Sequence, residues 1–383
     1  MLILKPSIGQ CAFIFHFMQE EIMIKNYRIP GLTAVAFLLI STIAGAAEAR
    51  WTFDGDIHNN SLAVSPDEKT AVASYSERSD VVVYDLAAGK VRKVMKGYVT
   101  PRNALFSPDG KAIFLSDSSL GVVKKISTGT LDVAATLPLG PGAFGTAISR
   151  DGQRLYVNNE AASTLSVYDL THDRPIAVVT GFAQPRQGIK ISPDGKTVYV
   201  TNFKGDKITL VDAVTGDIRG EITGFSKLRA ISVSADGRTL YAANSGSNTI
   251  AVVDTQKHVI TATIPVGQDP YGAALTPDNR YVYSGNLGDN SLSVIDTAAG
   301  KVVSTVTGLD APRQAIVFNK DGTRAWVLNK DLSIAVVDLK RTVSWPRLKA
   351  RRRPDAKPPL LQRSDDPSQS GVVNHFYRFI LAK

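Results

Sequence analysis

An all-β ring of seven four-stranded antiparallel units is what the sequence predicts, and three observations predict it. The stretch SPDGKTVYVTN at 192–202 recurs, with its first residue at Ser65, Ser107, Ser149, Ser192, Ser234, Thr276 and Asn319, at spacings of 42 or 43 residues. Two residues on, every copy keeps an acid: Asp67, Asp109, Asp151, Asp194, Asp236, Asp278 and Asp321. Two further marks stay in phase, Tyr75, Asp117, Asn159, Asn202, Asn244, Asn286 and Asn329, then Asp85, Ser127, Asp169, Asp212, Asp254, Asp296 and Asp338. A repeat of this length built of short strands and turns is the signature of a β-propeller blade. One blade cannot bury both faces, and a closed ring of seven buries them and leaves only short edges.

Each element of the unit has a local cause. In Ser192, Pro193, Asp194 and Gly195 the proline presets φ for a type I turn and the glycine leaves the turn without a Cβ clash. The fourth repeat then reads as GIKIS (188–192), TVYVT (197–201), KITLVD (207–212) and DIRGEIT (217–223), joined by SPDG, FKGD and AVTG. Alternation in KITLVD fits a strand, and no stretch inside the repeats has helical periodicity.

YVTN at 199–202, with SPDG before it and VD at 211–212, resembles the YVTN β-propellers, the YncE-like family of bacteria. YVNN (156–159), YAAN (241–244) and SVID (293–296) echo it, across roughly residues 50–340. AVASY (71–75) and IFLSD (113–117) depart from it in the first two repeats. The resemblance implies a seven-bladed fold and periplasmic residence, and DNA binding has been associated with such propellers. It specifies blade structure more than function.

The chain divides into three parts. Residues 1–49 read as a leader: Lys25 and Arg28, an apolar run at 31–46, then a small-x-small cleavage site at 47–49. Met23 is the better start. The single cysteine, Cys11, lies in that preface, so the mature chain has no thiol, disulfide or Cys-ligated haem. Residues 50–346 form the propeller, in which 50–56 is expected to complete the last blade and close the ring. Residues 347–383 read as a basic, proline-rich, disordered tail. The net charge of +9 is uneven. Residues 340–383 carry 11 Lys/Arg against 3 acids, whereas 50–339 carry 30 against 29, so the ring itself is nearly neutral.

Catalytic constellations are thin. His58, His172 and His258 are far apart in the chain, without metal-ligand spacing. There is no nucleophile elbow or phosphate-cradling glycine loop, and the repeated acids read as turn formers rather than calcium ligands. No cofactor and no metal are expected. One set escapes the structural logic of the repeat. TPRNA (100–104), QPRQG (184–188), KLRAI (227–231) and APRQA (311–315) place Arg102, Arg186, Arg229 and Arg313 before four inner strands. Gln187 and Gln314 follow in the two loops with an extra residue, and Asn60, Phe144 and Tyr271 hold the matching place in the other blades. Inner strands line a propeller's channel, so these nine residues are the expected ligand-binding set. Two readings stay open: an anion site for phosphate, carboxylate or a stacked base, or staples between blades.

The leading expectation is a monomeric, periplasmic, non-enzymatic binding propeller, with no membrane span once its leader is cleaved. Its partner would be a small anion, a nucleic acid or another protein. The alternatives are a propeller lactonase or a cofactor-free structural subunit of a redox complex.

Overall fold

The computed structural model describes residues 58–342 and 377–379. The expected leader at 1–49, residues 50–57 and most of the tail lie outside the described residues. Among the described residues no helix is long and apolar enough to cross a membrane.

Seven four-stranded antiparallel sheets follow one another, as the repeats require. The first six blades run Asn60–Met95, Pro101–Pro138, Ala143–Val179, Pro185–Ile222, Leu228–Pro265 and Ala274–Val306, each with its strands in sequence order from the axis outward. The fourth blade shows how closely local chemistry sets the elements: its strands are Pro185–Ile191, Thr197–Asn202, Lys207–Asp212 and Ile218–Ile222.

The three repeated marks are hydrogen-bonding devices. Ser192 Oγ donates to Asp194 Oδ1 at 2.5 Å, and the same Oγ accepts from Thr197 N at 2.9 Å. The Asp194 carboxylate also accepts from Lys196 N, so both side chains are consumed in closing the turn. Asn202 ends its strand by accepting from Ala183 N at 2.8 Å and donating to Thr209 Oγ1 at 2.9 Å. Asp117, the departure in blade two, does the same work with two accepted N–H bonds, from Val99 and Thr100. Asp212 caps the outer hairpin by accepting from Val214 N and Thr215 N.

The core is divided among the blade interfaces. Seven apolar clusters lie between neighbouring blades, one per interface. The last of these closes the ring: Leu62, Tyr75, Val82 and Tyr84 of blade one pack on Trp326, Leu328 and Ile334 of blade seven. Tyr84 Oη donates to the Leu332 carbonyl across the same junction.

Blade seven takes a strand from a stretch that the sequence reads as disordered. Its first three strands are Ile316–Phe318, Arg324–Leu328 and Ile334–Asp338. The fourth is Tyr377–Phe379, from the tail, paired antiparallel with Ile334, Ala335 and Val336. The outermost described strand of blade seven thus comes from the C-terminal part of the chain, and the expectation for 50–56 lies outside the described residues. The physical reason is that an unpaired edge beside Ile334–Asp338 accepts any extended segment that can reach it. YRF offers that segment after the repeat has ended.

Candidate functional site: an arginine-aromatic arc at the channel mouth

The expected arginines sit where the inner strands leave their ladders. In blade four, Pro185 pairs with Asn202 and the next pairing is Ile189 with Val200, so Arg186, Gln187 and Gly188 oppose Thr201 alone. In blades two and five only two residues, 102 and 103 or 229 and 230, oppose one. These bulges turn side chains away from the blade and toward the axis.

There the arginines alternate with aromatic rings in two runs, a pair from blades two and three and a longer series from Arg186 to Tyr75. The Arg102 guanidinium lies 4.5 Å from the Phe144 centroid. Arg186 and Arg229 flank Phe203, at 3.6 and 4.8 Å. Arg229 and Arg313 share Tyr271, at 4.3 and 5.1 Å, and Arg313 reaches Tyr75 at 5.6 Å. Each such contact is favourable because the ring face is electron-rich, more so where water is excluded.

The four guanidiniums are not equivalent. Arg102 is fully buried and held, donating from Nη1 to Asn59 Oδ1 at 2.7 Å and from Nε to Ser118 Oγ at 2.8 Å. Arg313, 6% exposed, donates to the His58 carbonyl and so ties blade seven to the start of blade one. Both answer to the staple reading. Arg186 and Arg229 instead line the mouth cavity, together with Phe144, Phe203, Tyr271 and His58. Arg229 Nε donates to Ser245 Oγ at 3.0 Å. Arg186 Nε makes no hydrogen bond and faces the buried Glu160 at 3.7 Å. Burial lowers the Arg186 pKa to about 10. Glu160 works against that shift, and the neighbouring charges of Arg229 and Arg102 add to it.

The remaining expected residues separate as well. Gln187 spans the ring, accepting from Asn59 Nδ2 at 2.8 Å and donating to Asn103 Oδ1 at 2.7 Å. Gln314 donates to the Asn60 carbonyl at 2.6 Å. Asn60 lies below the mouth, fully buried, with neither side-chain polar atom hydrogen-bonded. Phe144 is buried beneath Arg102, whereas Tyr271 stands at the cavity wall between two arginines.

Sequence reasoning missed four mouth residues. His58 Nδ1 lies 2.9 Å from Glu77 Oε1, and His58 lines the cavity. Glu160 and Phe203 each directly follow a strand-ending asparagine of the repeat, Asn159 and Asn202, and that place was the signal available. His172 lies exposed in a hairpin turn against Asp169, away from this constellation. Among the described residues, no group of three or more His, Cys, Asp or Glu is placed to hold a metal.

Comparison with known proteins agrees with the architecture. The sequence matches the family described as Lactonase, 7-bladed beta-propeller, over residues 56–219 and 212–318. A search of curated proteins returned no match. Among solved structures, a chain of Kuenenia stuttgartiensis hydrazine synthase superposes with a TM-score of 0.67 at 19% identity, covering 72% of this chain and 94% of its own. At that identity the likeness is one of fold.

Proposed function

This chain belongs to the 7-bladed β-propeller lactonase family, and from that premise we propose that its channel mouth binds a small organic acid or phosphate ester with a flat or cyclic body. The observation that carries this reading is the pair Arg186 and Arg229, which flank one Phe203 ring and line one cavity. Two guanidiniums this close repel, and Glu160 at 3.7 Å from Arg186 offsets only one of the two charges, so an added anion is favoured. Tyr271 and Phe203 wall the same cavity as the two arginines, so the ligand body has aromatic edges to lie against. Calorimetric titration with inorganic phosphate and with an aromatic carboxylate tests the proposal. Arg186→Met and Arg229→Met should each weaken binding by about tenfold or more, the worth of a charge-assisted hydrogen bond. Unchanged affinity in both variants would refute it.

A second reading, hydrolysis of an anionic lactone, is favoured by His58 and Glu77. A histidine oriented by a carboxylate can take a proton from water as that water attacks the lactone carbonyl. The ring ester C–O bond then breaks, the ring oxygen takes a proton and a hydroxy acid results. An arginine would steady the oxyanion between these steps. His58→Asn should abolish turnover of a phosphorylated aldonolactone while leaving phosphate binding intact. A wild type that leaves the lactone untouched removes the hydrolytic reading only.

The YVTN likeness makes DNA and a periplasmic setting further proposals for the same mouth. They predict nucleic-acid affinity that falls steeply with salt and a mature chain that begins near residue 50. A protein partner, as for a subunit docked on a redox complex, would show as stable co-purification.

A further inference from the structure

Below the mouth the channel opens into a second cavity of about 480 Å³, within the range of small-molecule sites. The Asn59, Gln187 and Asn103 bridge lies between the two spaces, and Gln187 lines both. Pro277 and Phe318, next to the blade turns, line the second cavity, so it faces the end of the ring opposite the arginines.

One position of the inner strand decides its character. Two residues before each turn stand Ala63, Leu105, Ala147, Lys190, Ser232, Ala274 and Val317. Six are small or apolar, or carry only a hydroxyl, and Lys190 is the exception. Lys190 is also the only ionisable side chain among the residues lining the cavity. Its side chain is exposed to solvent within the channel, and the surrounding strands push its pKa down. Beside it, Ser232 Oγ is buried without a hydrogen-bond partner, and Asn60 has both side-chain polar atoms in the same condition. No carboxylate lines the cavity with it, so an anion entering the channel meets an unopposed charge. The folding of the blade does not need it, because six other blades do without.

We propose that this lower channel is a second binding site, distinct from the mouth, in which Lys190 receives a small oxyanion, a carboxylate or a phosphate. Ser232, at the matching place of the next blade, lines the same cavity. The ligand must be compact, because Leu105, Ala274 and Val317 wall the same level. It enters from the face opposite the arginine arc, so occupation of one site leaves the other open.

The full chain, with its lysines labelled by reductive ¹³C-methylation, provides the test. The Lys190 resonance is the one missing from Lys190→Met. Titration with inorganic phosphate, and separately with succinate, should shift that resonance saturably and move its titration midpoint to higher pH. The more effective of the two probes identifies the ligand class. In the Arg186→Met, Arg229→Met background, Lys190→Met and Lys190→Gln should weaken the remaining calorimetric affinity at least tenfold. The double variant Arg186→Met, Arg229→Met removes the mouth site and should leave the Lys190 response unchanged. The inference is overturned if neither anion moves the resonance at roughly physiological ionic strength. It is equally overturned if the double variant abolishes the response, because the anion would then sit at the mouth.

Discussion

Arg102 and Arg229 carry the same group at the same blade position, and their surroundings give them opposite work. Arg102 is enclosed and donates to two buried acceptors, Asn59 Oδ1 and Ser118 Oγ. Arg102→Met strands those acceptors and should cost about 3 kcal/mol or more, measured by chemical denaturation. Affinity at the mouth should change little in the fraction that folds. Arg229→Met should do the reverse, because Arg229 keeps one neutral hydrogen bond and faces the cavity. Equal losses of stability in both variants would return Arg229 to the staples.

At the scale of the element, the repeated turn stores a pH dependence. Asp67, Asp109, Asp151, Asp194 and Asp236 have pKa values below the usual aspartate value, first through the bond from the preceding serine and next through a backbone N–H. A depressed folded pKa contributes stability above the unfolded value, near 4, and that contribution is lost as pH falls through the folded values. Denaturation midpoints should therefore hold from neutral pH to about 5 and then decline toward pH 3. Asp194→Asn should flatten part of that decline. The inner strands carry a second constraint at Gly145, where a Cβ would lie 2.5 Å from the Arg186 carbonyl oxygen of the next blade. Gly145→Ala should cost about 1–3 kcal/mol as an overpacked contact, and it should disturb the mouth by shifting the backbone that aims Arg186.

For the whole molecule, the junction of blades one and seven is the place where the ring can open. Trp326, 6% exposed, packs there against blade one. Trp326→Ala should cost about 3–5 kcal/mol, as for a large core residue. Closure also bears on the tail. Truncation after residue 346 removes the Tyr377–Phe379 strand from the edge of blade seven. A few ladder hydrogen bonds at about 1 kcal/mol each should lower the melting temperature by a few degrees. An unchanged melting temperature would mean that this edge strand adds nothing to the closed ring.

The sequence by itself determined the blade. Its number, strand order and turns follow from Ser, Asp and Asn marks whose partners lie mostly within eight residues, so local chemistry and period were enough to read them. It also exposed the unusual loops, because an extra residue breaks the 42-residue spacing before Ser192 and Asn319. Only the tertiary structure decided what those loops do. Asn59 meets Gln187 across 128 residues, and Arg313 meets the His58 carbonyl across 255. Nothing in a 42-residue repeat specifies which side chains face one another over the axis, since that depends on closing the ring. The same closure sorted the four arginines by burial and turned Lys190 into the channel. It also took the last blade's fourth strand from Tyr377–Phe379, because an open edge selects by reach and pairing rather than by membership of the repeat.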